Sequence, residues 1–121
     1  MAEERESAHK RAGRLYATLR MLKYLGGAEG SRPGEGDEFG GKDSPLMRVR
    51  RLRTNPFTDL LAAHHRGRHA EAAGELFAAV PGLLPSFTAL DTGINEEQQA
   101  EFTDGHRAQV AEMRKSFPGL F

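Results

Sequence analysis

The sequence predicts an all-α protein, a single-domain bundle of about five helices. Apolar residues recur at spacings of three and four through most of the chain, which is the period of a helix with one buried face. Helix-start signals precede several of these stretches, and no stretch shows the alternation typical of a strand. The length of 121 residues suits one domain spanning 1–121.

The first predicted helix runs from Glu3 to Leu25. Leucine and alanine form its apolar stripe, and Gly26 and Gly27 end it because glycine accepts the left-handed conformation of a helix C-terminus. The stripe consists of Ala8, Ala12, Leu15, Leu19 and Leu22. Residues 26–43 follow, with seven glycines and one proline in "GGAEGSRPGEGDEFGGK", and they predict a long surface loop. Loops of this length within a domain are uncommon and often functional.

Four more helices are predicted after this loop. Ser44 caps the first, and Asn55 caps the second, which places Phe57, Leu60 and Leu61 on an inner face. A third covers the repeat from Ala70 to Val80 and ends at Pro81, because proline disrupts a helix interior. Asn95 begins the last helix in a capping box with Gln98, and Pro118 stops it. We expect the two long terminal helices to pair antiparallel.

Charge is balanced over the chain but unevenly placed. Lys plus Arg equals Asp plus Glu, 17 each, yet residues 44–54 hold four arginines and no acid, whereas residues 91–104 hold five acids and no Lys or Arg. A neutral total argues against a protein that coats nucleic acid by itself, but it allows one basic face.

Several classes of protein are disfavoured by what the sequence lacks. Cysteine is absent, which excludes a disulfide framework, a thiolate zinc site and a cysteine nucleophile. No apolar run approaches the ~20 residues of a membrane span, and the charged start "MAEERESAHK" does not resemble a secretory signal. We therefore expect no membrane association and a cytoplasmic location.

The histidines and carboxylates offer weak candidates for catalysis. His65 and His69 are four residues apart and could share a metal ion, but Gly67 lies between them and two ligands make a poor zinc site. The acids near residues 96–104 are explained by the preference of a helix start for negative charge. The sequence thus predicts no enzyme, no metal and no cofactor, with a histidine-dependent enzyme using His65, His69 or His106 as the alternative.

The arginines of "MRVRRLR", residues 47–53, are the stronger candidates for function. On a helix they would fan over an exposed side while Val49 and Leu52 pack inward, and arginine forks match phosphate oxygens. The alternative is a solvated face that pairs with the acids of 91–104. Tyr16 and Tyr24 could stack on bases. The candidate nucleic-acid-binding residues are Arg14, Arg20, Lys23, Arg48, Arg50, Arg51 and Arg53.

Two motifs resemble a known family. The first helix carries "AGRLYATLRML", and the last contains Gln99, Phe102, Gly105 and Gln109 in the pattern Q-x-x-F-x-x-G-x-x-x-Q. Together they resemble the C-terminal helical region of the large subunit in type I-C CRISPR-Cas surveillance complexes (Cascade), a region also produced separately as the small subunit. The motifs are dense only at the two ends of the chain, and His106 and Arg107 replace the family's aromatic pair.

The resemblance implies a non-catalytic small subunit, present in several copies, that helps to hold the guide RNA–target DNA duplex and the displaced DNA strand. Its implied partners are other copies of itself, the large and backbone subunits, and these nucleic acids. The acids of residues 91–104 are expected to meet the basic segment of the next copy head-to-tail. A small helical adaptor or phage-type structural protein that binds only proteins is the alternative.

Overall fold

The structure, a computed structural model, describes residues 6–121 and confirms the all-α, single-domain class. These residues form six α-helices and two short 3₁₀ turns, with no strand among them. The α-helices are α1 (Ala8–Leu25), α2 (Pro45–Arg51), α3 (Pro56–Arg66), α4 (Ala70–Leu83), α5 (Phe87–Asp91) and α6 (Glu96–Ser116), and the 3₁₀ turns are Glu29–Ser31 and Pro118–Leu120. The predicted helix start at Glu3 lies outside the described residues.

The predicted helix starts at Ser44, Asn55 and Asn95 are confirmed. The Ser44 hydroxyl accepts a hydrogen bond from the Met47 amide, and the Asn55 side chain caps α3. Asn95 and Gln98 exchange side-chain and backbone hydrogen bonds in a capping box. These caps are local, since each satisfies free amides of its own first turn.

Two expectations for α4 and α5 are wrong. α4 continues through Pro81 to Leu83, so the proline lies inside the last turn of the helix instead of ending it. α5 was not expected at all, and it begins directly after Ser86, whose hydroxyl accepts a hydrogen bond from the Ala89 amide. A helix of five residues is too short to produce an apolar period that sequence can reveal.

α1 and α6 lie side by side and run parallel, so the expectation of an antiparallel pair is wrong. Ala12 and Phe102 share one buried cluster near the helix starts, and Met21 and Met113 share another towards their ends. α2 to α5 intervene along the chain, and no short loop therefore fixes the direction of this pair.

The main core lies between α1, α3, α4 and α6. Its buried members are small or flexible apolar residues, among them Met21, Leu22 and Val110. Phe57 and Leu61 were expected on the inner face of α3, but each is 55% exposed, while Leu60 packs against the core. α3 therefore buries a narrower stripe than its composition suggests.

Candidate nucleic-acid interface

The structure divides the seven predicted cations into two groups. Arg50, Arg51 and Arg53 lie exposed at the end of α2 and just beyond it. The other four make contacts inside the molecule: Arg14, Arg20, Lys23 and Arg48. In the first group only Arg51 makes an ion pair, with Asp43, so Arg50 and Arg53 can meet a partner without breaking any ion pair of the described chain.

Arg48 is buried, which corrects the expectation that it lies on the exposed side of α2. It is 6% exposed, donates to the Gln99 side-chain oxygen at 2.8 Å, and its guanidinium carbon lies 4.7 Å from the centre of the Phe102 ring. Burial lowers the pKa of Arg48 from its usual value. A ring face and carbonyl oxygens stabilise this cation, and Arg48 therefore joins α2 to α6 rather than to a ligand.

We predict that Arg48→Ala and Arg50→Ala differ in stability although the residues are two apart on one helix. Arg48→Ala should lower the free energy of unfolding by about 2 kcal/mol, since it removes a buried hydrogen bond and the stack on Phe102. Arg50→Ala should change it by less than about 0.5 kcal/mol because the side chain is exposed. Urea denaturation measures both, and equal effects would contradict the burial of Arg48.

Arg14 and Lys23 brace α1 against its neighbours. Arg14 forms ion pairs with Glu6 at 2.8 Å and with Glu112 at 3.0 Å, and it also donates to Gln109 at 2.9 Å. Lys23 donates to the carbonyl oxygen of Leu52 at the end of α2. The predicted contact of these two cations with nucleic acid would require these bonds to open.

Arg20 joins a partly exposed carboxylate to a buried histidine. It pairs with Asp37 at 2.7 Å, and its Nη1 lies 3.1 Å from Nε2 of His106, which is fully buried. Burial, and then the adjacent Arg20 charge, lower the pKa of His106 to about 4. Burial alone would raise the pKa of Asp37, but hydrogen bonds from Gly34 and Arg20 lower it overall.

The exposed arginines at the end of α2 and just beyond it form few ion pairs within the described chain. Arg51 pairs with Asp43, whereas Arg50 and Arg53 have no ion pair within residues 6–121. Arg53 follows α2 in the left-handed region at φ 49°, which turns the chain towards Asn55. The result is a short basic ridge, residues 50–53, whose guanidinium groups face solvent.

The basic and acidic segments adjoin in the folded chain without neutralising each other. The Arg48–Gln99 hydrogen bond joins residues 44–54 to residues 91–104. Among residues 6–121, however, no ion pair links the two segments, and Glu96, Glu97 and Glu101 have no ion-paired cation. The alternative prediction, in which the basic segment forms ion pairs with these acids, is therefore wrong for the described residues.

A second exposed group of histidines and arginines, which is absent from the predicted nucleic-acid-binding residues, lies at the turn between α3 and α4. All of its side chains are exposed: His64, His65, Arg66, Arg68 and His69. Arg66, Arg68 and His69 line a cleft of about 120 Å³ together with Tyr24. In the sequence, the histidines and arginines on both sides of Gly67 were the feature that could have predicted this group. In the described chain, no three His, Asp or Glu side chains come together as metal ligands.

Large apolar side chains are also exposed on the part of the chain that the structure describes. They include Phe57, Leu61 and Phe87, and Phe87 is 77% exposed. Within residues 6–121, no helix combines the length and the apolar character that crossing a membrane requires.

Comparisons with protein-family models, with curated proteins and with solved structures found no match.

Proposed function

We propose that this chain is a non-catalytic small subunit of an RNA-guided CRISPR-Cas effector complex of the Cascade type, acting in the cytoplasm. The observation that carries the proposal is the basic ridge of Arg50, Arg51 and Arg53, which stays exposed while neighbouring cations are used internally. The two helix motifs that resemble the type I-C family support it independently.

The ridge suits contact with sugar-phosphate backbones. Guanidinium groups bind phosphate oxygens in forked pairs and carry no sequence information by themselves. In a guided complex the RNA reads the sequence, so an accessory subunit needs only backbone contacts to stabilise the guide–target duplex and the displaced strand. A chain with no net charge gains little from long-range attraction, and several copies would align short ridges into a longer track.

Copies of the chain would contact one another and the large and backbone subunits of the complex. Glu96, Glu97 and Glu101 lack ion-paired cations in the described part of the chain and would face the ridge of a neighbouring copy. A head-to-tail contact of this kind repeats without closing. Native mass spectrometry of the assembled complex counts the copies, and a single copy would contradict this arrangement.

The test of nucleic-acid contact is the variant R50Q/R51Q/R53Q. It should weaken binding of single-stranded DNA by the complex and make the plot of log K against log salt shallower by about two to three, since roughly one counterion is released per phosphate contact. Fluorescence anisotropy at several salt concentrations measures both quantities. The control R11Q/R32Q/K115Q removes the same charge from scattered positions whose side chains make no ion pair among residues 6–121.

Equal effects of the two triple variants would mean that only net charge matters and would overturn the ridge as a binding surface. If neither the wild type nor the complex binds nucleic acid, the protein-binding adaptor becomes the better account. The exposed side chains of Phe57 and Leu61, one helical turn apart on α3, favour that second function, because contiguous exposed apolar residues mark protein contact sites.

A further inference from the structure

The loop between α1 and α2 fills a groove along α1 and α6. Its groove segment, residues 33–42, begins at the fully buried Pro33 and passes the two helices in the direction opposite to their own. Glu35 lies beside Arg114 of α6, and Lys42 accepts a hydrogen bond from the Ile94 amide just before α6 begins. A segment rich in glycine thus takes one extended course over the surface.

Arginines hold the acidic groups of this segment. The Glu35 carboxylate pairs with Arg114 at 3.1 Å, and the Glu35 carbonyl oxygen accepts from Arg107 at 3.2 Å. Two residues later, the Asp37 carboxylate pairs with Arg20 at 2.7 Å. Arginines from both helices therefore line the groove, and two carboxylates of the segment form ion pairs with them.

An aromatic group receives the next side chain of the segment. The Phe39 ring lies 5.4 Å from both Tyr16 and Phe102, and 4.8 Å from His106, between ring centres. The Arg48 guanidinium carbon lies 5.6 Å from the centre of the same ring. Phe39 itself is only partly buried, so the group has an edge open to solvent.

A line of arginines beside an aromatic platform is the combination that binds single-stranded nucleic acid. The cations follow phosphates, and rings accept unpaired bases without sequence preference. The groove segment supplies the matching chemistry from within the chain: of its three acids, Glu35 and Asp37 pair with groove arginines, and the planar ring of Phe39 follows them. Its carboxylates stand where phosphates would bind, and Phe39 stands where a base would stack.

Two glycines of the segment are not required by its conformation or by the space around it. A Cβ added at Gly36 or Gly40 would meet no atom within 4 Å, and neither residue has the positive φ that demands glycine. Each glycine raises the entropy lost when the segment is ordered. The effect of these two residues is therefore to weaken the closed state, which suits a segment that must leave.

We propose that the groove between α1 and α6 is a binding site for single-stranded nucleic acid, and that residues 33–42 occupy it as an internal competitor. The inference rests on the proposed function and adds to it a second strand-binding surface under the loop. Release of the segment would free Arg20 and Arg114 for phosphates and expose Tyr16 for stacking, while Arg107 would keep its pair with Asp104. Arg20 would thus regain the role that the sequence predicts for it.

The variant pair E35Q/D37N and E29Q/E38Q tests the competition. Each variant removes two negative charges from the same loop, but only the first removes charges that pair with groove arginines, because Glu29 and Glu38 are exposed and have no ion pair in residues 6–121. E35Q/D37N should bind fluorescent oligothymidylate roughly three- to tenfold more tightly than E29Q/E38Q, as expected from weakening two partly exposed ion pairs. Equal affinities would overturn the proposal.

Hydrogen exchange of the wild-type protein gives a second readout that does not depend on the variants. On saturation with the oligonucleotide, amides of residues 33–42 should exchange faster, while those of α3 keep their rate. Unchanged or slower exchange in the segment would also overturn the proposal.

The two proposals fail in distinguishable ways. If R50Q/R51Q/R53Q weakens binding while the segment neither exchanges faster nor responds to E35Q/D37N, the groove is refuted and the ridge stands. If E35Q/D37N tightens binding while the ridge variant has no effect, the ridge is refuted and the groove stands. Absence of binding by every variant refutes both.

Discussion

Gly13→Ala should lower the free energy of unfolding by about 3 kcal/mol or more. α1 and α6 touch backbone to backbone at this residue, so a Cβ would overlap the Phe102 carbonyl oxygen and lie 2.9 Å from the His106 amide nitrogen. Neither backbone atom can rotate away, and the helices must separate, which disrupts the packing along their whole length. Gly105→Ala should act similarly, since its Cβ would lie 2.7 Å from the Lys10 carbonyl carbon.

Gly74→Ala is the matched control. Gly74 also lies inside a helix, α4, but a Cβ there would meet nothing within 4 Å. This substitution should stabilise the protein by roughly 0.5–1 kcal/mol, because alanine loses less conformational freedom than glycine in a helix. Urea denaturation midpoints compare the variants. A Gly13→Ala variant as stable as Gly74→Ala would mean that α1 and α6 do not approach this closely.

Acidification from pH 6.5 to pH 4 should reduce stability through His106. The usual pKa of 6.5 applies to the unfolded chain, and the folded value is about 4 because the ring is buried beside Arg20. Between these values the unfolded chain binds more protons, so stability is complete above pH 6.5 and falls as the pH drops. The loss is on the order of 3 kcal/mol, from about 2.5 pH units at ~1.36 kcal/mol each.

His106→Gln isolates this effect, since glutamine does not titrate and its oxygen can still accept from Arg20. The variant should show a much flatter stability profile between pH 4 and 6.5, measured by urea denaturation at each pH. Asp37 does not affect this comparison between pH 4 and 6.5. Its pKa in the folded protein is lower than the usual value of 3.8, so its contribution to stability is lost only when the pH falls below 3.8. Identical profiles for the two proteins would show that His106 is not buried in neutral form.

Features encoded by neighbours in sequence could be predicted. Ser44, Asn55 and Asn95 each cap the helix that follows, and the apolar repeats give the helix class, because both depend on residues within one or two turns. The exposed ridge of the candidate interface was also predictable in part. Arg50 and Arg51 lie on the exposed side of α2, as the helical period indicates, and Arg53 follows the helix as an exposed residue.

The predictions that failed concern contacts between distant residues. Arg48 shares a face of α2 with the buried Pro45 and Leu52, but only the arrival of Phe102 and Gln99 from α6 makes the burial of its charge favourable. The glycine-rich loop looked like an independent surface loop, yet Asp37 and Phe39 find partners on α1 and α6.

The sequence by itself determined the helical class, the helix starts and a cluster of arginines, because hydrogen bonds and periodicity within a few residues decide these. Tertiary structure alone decided the parallel course of α1 and α6, which cations remain exposed, and what fills the groove between the helices. Burial of a charge depends on the rings and carbonyl groups that meet it across the fold, and these come from remote parts of the chain.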